Sequence, residues 1–182
     1  TNRNMEILAM SDTEKRLKEA LYYARKGWPV IPLHTPGDNG CSCGNYDCRS
    51  GGKHPRTKHG AKDGTTDKEI IREWWQKWPD ANIGIATGRV SGLVVVDIDP
   101  RHGGDQSYDD LVDGHEKIDT LEVITGSGGR HIYFAYPHDR HIGCPGTDLS
   151  GIDIRGDGGL VVAPLSKHRN GRNYQWEESS KP

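Results

Sequence analysis

Residues 92–100 read Gly-Leu-Val-Val-Val-Asp-Ile-Asp-Pro, and this stretch decides the fold. Leu93 to Val96 form an unbroken aliphatic run rich in β-branched residues, which reads as a buried strand. Pro100 ends it, because proline cannot donate to a sheet ladder. Side chains two apart on a strand share a face, with their Cα atoms roughly 6.5 Å apart, so Asp97 and Asp99 point the same way. Val96 and Ile98 take the opposite face, which this reading assigns to the core, leaving the two acids at a sheet end on the accessible side. Carboxylates this close repel unless a cation lies between them, the arrangement that hard cations such as Mg²⁺ require. The later segment Gly151-Ile152-Asp153-Ile154-Arg155 repeats the apolar and acidic alternation and makes Asp153 a third candidate ligand. A lone Asp after a strand is ordinarily a turn cap. A pair on one face, with a matching acid on another strand, favours the metal.

Around this centre, short strands separated by Gly-rich turns occupy 82–87, 121–125, 131–136, 151–156, 159–164 and 173–177. Most of their connections are too short for a crossover helix, so the sheet is expected to be largely antiparallel or mixed. Ahead of them, Ser11 with Glu14 forms a capping box for a helix over 12–26, stopped by Gly27. A strand follows at 28–33. Thr66 with Glu69 caps a second helix over 67–78, whose apolar face is Ile70, Ile71, Trp74, Trp75 and Trp78 and which Pro79 stops. Residues 105–116 read as a third helix. The expected class is mixed α/β, of the α+β kind, with residues 1–182 as a single domain.

Ile, Val, Leu and Phe make up only 33 of the 182 residues, but a net charge of −2 argues against disorder. Five Trp and seven Tyr supply the buried area that a thin aliphatic content does not. A near-neutral chain binds nucleic acid only through local basic clusters. Two exist, Arg49, Lys53, Arg56, Lys58 and Lys62, and then Lys167, Arg169 and Arg172, each equally readable as a solvated face. No run has the length of a membrane span and the start lacks a basic-then-apolar leader, so the expectation is a cytoplasmic protein with no membrane partner.

Cys41, Cys43 and Cys48 crowd into one loop with His54 close behind. The surrounding 36–62 stretch has too few apolar residues to pack itself, and three thiolates with an imidazole describe a structural zinc site. His34 and His59 are rival fourth ligands. Cys144 stands alone and reads as a buried thiol. Thr125-Gly-Ser-Gly-Gly-Arg-His131 joins two strands by a Gly-rich turn, where Ser127, Arg130, His131 and the backbone of Gly128 and Gly129 can meet phosphate oxygens. Taken alone it is a plain hairpin. His131 and Tyr133 share one strand face, so His131 can face the acids.

In this order, CSCGNYDCRSGGKHPR, VVVDID, TGSGGRHIYF and GIDIRGDGGLVVAP resemble the primase-polymerase domains of plasmids, phages and integrated elements, in the archaeo-eukaryotic primase superfamily. The resemblance runs from about Ala20 to Trp176. It implies a template-directed DNA primase and polymerase that joins dNTPs or NTPs on a single-stranded DNA template and primer. It implies that Asp97, Asp99 and Asp153 hold two catalytic Mg²⁺ or Mn²⁺ ions and that Gly129-Arg130-His131 is the small-x-His motif whose His contacts the triphosphate. Superfamily members often carry Ser where this chain has Gly129, and Ser127 is the substitute. Arg155 and His168 are its candidates for further phosphate contacts, and the cysteine insertion is implied to bind one zinc beside template or primer. It further implies helices and strands up to about residue 90, then an RRM-like sheet carrying the acids, and a helicase downstream as partner. A metal-dependent nuclease or phosphodiesterase would use the same acids with water as nucleophile. A non-catalytic zinc-containing nucleic-acid binder would keep them as structure, at the cost of repelling phosphate.

Overall fold

The computed structural model describes residues 10–38, 40–116 and 118–180. In chain order these form α1 (Asp12–Arg25), β1 (Val30–Leu33), β2 (Pro36–Gly37), β3 (Gly40–Cys41), α2 (Lys68–Lys77), β4 (Asn82–Ala86), β5 (Leu93–Ile98) and α3 (Gly104–Val112). Then come β6 (Glu122–Ile124), β7 (Arg130–Ala135), β8 (Ile152–Arg155), β9 (Leu160–Val162) and β10 (Gln175–Trp176). The fold is mixed α/β with antiparallel sheets.

The capping box of α1 forms as expected, Glu14 accepting from the Ser11 amide at 2.7 Å and Ser11 Oγ from the Glu14 amide at 3.3 Å. In α2 the cap is Asp67 rather than Thr66, its Oδ1 taking the amides of Glu69 and Ile70. Thr65 Oγ1 accepts the Asp67 amide at 3.0 Å and so turns Asp67 toward those unpaired donors. The buried face of α2 is also narrower than its apolar stripe, with Ile71 and Trp75 buried and Ile70 exposed.

Every strand pair is antiparallel. One sheet has the order β1-β4-β9, a second β10-β6-β7-β5-β8, and β2 with β3 makes a small hairpin. The expected division near residue 90 is thus corrected, because β9 returns to the first sheet. Its return is fixed by the turn after β8, where Thr87 Oγ1 donates to Gly156 O at 2.7 Å and the Thr87 amide to Gly159 O at 3.0 Å. Aromatic rings join the two sheets. Trp28 lies 5.9 Å from Tyr23 and 6.1 Å from Tyr133, which lies 5.5 Å from Trp176, within one core cluster that includes Trp75, Ile83, Val95 and Val123.

The strand that opened the reading is buried on both faces. Leu93 and Val95, on the face of Asp97, belong to the main core, while Val94 and Ile98 are buried with Ile132 and Ile152 on the side where α3 packs. Asp97 is therefore accessible because its own face runs out of core beyond Val95, and not because that face is solvated throughout. Cys144 is exposed rather than buried, in the loop after β7. No helix among the described residues is long and apolar enough to cross a membrane.

Candidate active site and metal centre

Register brings the candidate residues together. Asp97 on β5 stands opposite His131 on β7 and opposite Asp153 on β8, and one step inward Val95 stands opposite Tyr133 and Arg155. Directly opposed residues project to one face, so His131, Asp97 and Asp153 form a row across three neighbouring strands. Like charges opposed in a sheet are destabilising without a cation. Arg155 supplies it, its guanidinium 2.9 Å from Asp153 and 3.5 Å from Asp97. His131 Nε2 lies 3.5 Å from Asp97 Oδ1, and its Nδ1 is buried without a partner among the described residues. Burial pulls the His131 imidazole below its ordinary pKa, against the attraction of Asp97, so the ring is neutral near pH 7.

Asp99 comes one residue past β5 and caps the short turn Pro100–His102. Its side chain is held by Arg101 at 2.7 and 2.9 Å and by His102 at 3.0 Å. The Arg101 hydrogen bonds keep this carboxyl well below the usual range. Its backbone is clamped too, the Asp99 amide donating to Gly151 O at 2.7 Å and Asp99 O accepting from the Gly104 amide at 3.0 Å.

All three acids line one cavity of about 550 Å³, together with Lys53, Arg101, Ser127, His131, Arg155 and Tyr174. A second cavity of about 350 Å³ shares Lys53, Asp97, His131, Arg155 and Tyr174 with it and is walled by Ser50, His54 and Pro55 opposite β9. The donor set fits hard divalent cations: oxygen ligands whose charges guanidinium groups meet in this structure.

The Gly-rich turn is placed differently from its reading. The Gly128 amide donates to Thr125 O and the Gly129 amide to Thr125 Oγ1, each at 2.9 Å, so both close the turn itself. A side chain at position 129 would run into Ile98 O, which accounts for glycine there, and Ser127 faces the cavity in its place. Arg130 points to the opposite sheet face, its guanidinium 4.8 Å over the Tyr108 ring and near Asp105 and Glu122. His168 lies behind the turn, packed against Gly126, and does not line the cavity. Sequence reasoning missed Arg101 and Tyr174 as wall residues. It left Arg56 in a basic cluster open to either phosphate or solvent, whereas that guanidinium ties Leu33 O, Thr35 and Asp80 together.

In the cysteine loop, Cys41, Cys43, Cys48 and His54 offer ligand atoms all within 4.8 Å of one another, the one such group among the described residues. His54 Nε2 is 3.4 Å from the sulfurs of Cys41 and Cys48. Tetrahedral zinc bonds of 2.0–2.3 Å separate ligand atoms by roughly 3.3–3.8 Å, so the set can close on such an ion. Burial opposes it, but amides of Cys43 and Gly52 and the His54 ring draw the Cys41 thiol down to about 6. The rivals are engaged elsewhere. His34 bonds Ser42 at 3.0 Å and stacks on His54, and His59 bonds Asp63 at 3.0 Å.

A family model described as bifunctional DNA primase/polymerase, N-terminal, matches residues 20–182. No curated protein matches the chain.

Proposed function

The chain belongs to the bifunctional DNA primase/polymerase family, whose reaction joins nucleotides on DNA, and from that premise we propose that it is a template-directed nucleotidyltransferase working by two divalent metals at Asp97, Asp99 and Asp153. The observation that carries this reading is the row of His131, Asp97 and Asp153 across three strands, opening on a cavity that Asp99, Ser127 and Arg155 complete. Mg²⁺ or Mn²⁺ bound there would lower the pKa of the primer 3′-hydroxyl and neutralise the triphosphate and leaving pyrophosphate. The chain's own part is to hold and orient. Asp97 is braced between His131 and Arg155, and neutral His131 offers its Nε2 edge to the cavity. Arg155 and Arg101 neutralise the acids in this structure, and with cations bound there they would be free to meet phosphate oxygens. No side-chain nucleophile is required. In the same reading the protein serves replication of a plasmid, phage or integrated element in the cytoplasm, with a helicase opening the duplex.

The test is to incubate a 5′-labelled primer on its template with Mg²⁺ or Mn²⁺, with and without triphosphates. Lengthening that needs the triphosphate supports the reading, and shortening without it makes the chain a nuclease. In the same assay His131→Ala raises KM for the nucleotide by roughly threefold to tenfold, the worth of one hydrogen bond made equally in ground and transition states. Unchanged KM and rate would confine His131 to the strand.

We also propose one structural zinc on Cys41, Cys43, Cys48 and His54. Elemental analysis is expected to give one zinc per chain, and Cys43→Ser to speed amide exchange over 36–62 far more than in the five-stranded sheet. Absence of zinc, or equal loosening of the whole fold, would contradict this.

A further inference from the structure

Lys53 lies where the two cavities meet, lining the larger with Asp97, Asp99 and Ser127 and the smaller with Ser50, His54 and Tyr174. The other basic side chains of the larger cavity are engaged. Arg101 and His102 hold Asp99, Arg155 holds Asp153 and Asp97, and His131 lies against Asp97. Among the described residues the Lys53 ammonium makes no hydrogen bond and no ion pair. It is thus the cation of this wall that can meet a new anion without first giving up an old one.

The backbone that delivers it is pinned. Asn82 Nδ2 donates to Gly52 O at 3.0 Å, the Lys53 amide to Ser50 O at 2.9 Å, and the His34 amide to His54 O at 2.9 Å. Gly52 sits at φ +81° with Pro36, Asn82 and Lys167 O around the place of its missing side chain, so the chain there has little room to shift. The next residue, His54, turns its Nε2 toward Cys41 and Cys48. An ion in the cysteine loop therefore fixes the imidazole directly after Lys53.

Resting on the polymerase reading above, we infer that Lys53 binds the triphosphate of the incoming nucleotide, and that the cysteine loop sets its reach, so that loop metal and nucleotide bind cooperatively. A compact ammonium on a flexible stem can follow phosphate oxygens, and the triphosphate is the part of the substrate whose charge complements it. Coupling of this kind is reciprocal: if zinc tightens the nucleotide, the nucleotide tightens zinc by the same factor.

The experiment uses a template-primer ending in a 2′,3′-dideoxynucleotide, Mg²⁺, and the next complementary deoxy- or ribonucleoside triphosphate, with affinity read by fluorescence and zinc by elemental analysis. Lys53→Gln is expected to weaken nucleotide binding roughly tenfold to a hundredfold, the worth of a charge-assisted hydrogen bond, with zinc content unchanged. Lys53→Arg restores most of it. Stripping zinc from the wild type weakens binding in the same direction, while stripping it from Lys53→Gln changes little. Unaltered affinity in Lys53→Gln, beside a wild type that binds, overturns the inference alone. Full affinity in the stripped wild type overturns the coupling. A wild type that takes up neither triphosphate overturns the polymerase reading and this inference with it.

Discussion

Asp97→Asn is expected to lower nucleotide incorporation by about three orders of magnitude and to leave the fold intact. Metal polarisation is worth several kcal/mol of transition-state stabilisation, and each 1.36 kcal/mol is about tenfold in rate. The variant keeps the shape of the side chain but loses the charge that a hard cation requires. Stability is spared for a reason visible in the register. Asp97 faces Asp153, a like charge, and its own partners Arg155 and His131 are both 3.5 Å away. Removing one of two opposed charges costs the apo protein little and relieves repulsion. Single-nucleotide incorporation and thermal unfolding, measured on the same preparation, check both halves. Incorporation near the wild-type rate would place the reaction elsewhere.

The largest expected effect on folding belongs to Gly151→Ala. Gly151 has φ +68°, and an added Cβ would meet Gly104 N at 2.5 Å and Asp99 O at 2.6 Å. The left-handed backbone alone costs about 1–2 kcal/mol for a residue with a side chain, and overpacking adds about 1–3 kcal/mol. The contact atoms are the backbone that holds Asp99, so relaxation there moves a proposed metal ligand. The variant is expected to unfold at lower denaturant, by about 2–5 kcal/mol, and to lose activity while still folded. Gly158→Ala is the control, since Gly158 has φ +77° with nothing within 4 Å of its added Cβ. Equal destabilisation by both substitutions would mean that the close packing around Asp99 contributes nothing.

Much of this site was legible in the sequence. Alternation singled out Asp97 and Asp153 on their own strands and allowed His131 to face the acids, because a strand has a period of two whatever surrounds it, while register set all three in one row and left Asp99 past the strand end. The same rule sets Arg130 on the other face once the strand includes it, but the strand was read from residue 131 and Arg130 was counted with the phosphate donors. The unbroken run Leu93 to Val96 carries a signal of burial on both faces, as aliphatic runs without alternation do, but the reading assigned only the face of Val96 and Ile98 to the core. What could not be read locally depends on contacts distant along the chain. The return of β9 to the first sheet rests on Thr87 meeting Gly156 and Gly159. Nothing in the basic cluster after the cysteines separates Lys53, which lines the cavity, from Arg56, which is bound to Leu33 O, Thr35 and Asp80. The group of Cys41, Cys43, Cys48 and His54 was legible because one short loop supplies all four. The grip of Arg101 on Asp99 is a choice of rotamer that follows from the tight turn after Pro100.

That the three acids carry the catalytic metals is tested most directly by anomalous diffraction from crystals grown with Mn²⁺, a dideoxy-terminated template-primer and the next triphosphate. Manganese is expected between Asp97, Asp99 and Asp153, with Arg101 and Arg155 turned away from the carboxylates. Crystals that hold the triphosphate but show no manganese at these acids, with Arg101 still on Asp99 and Arg155 still on Asp153, would contradict the account.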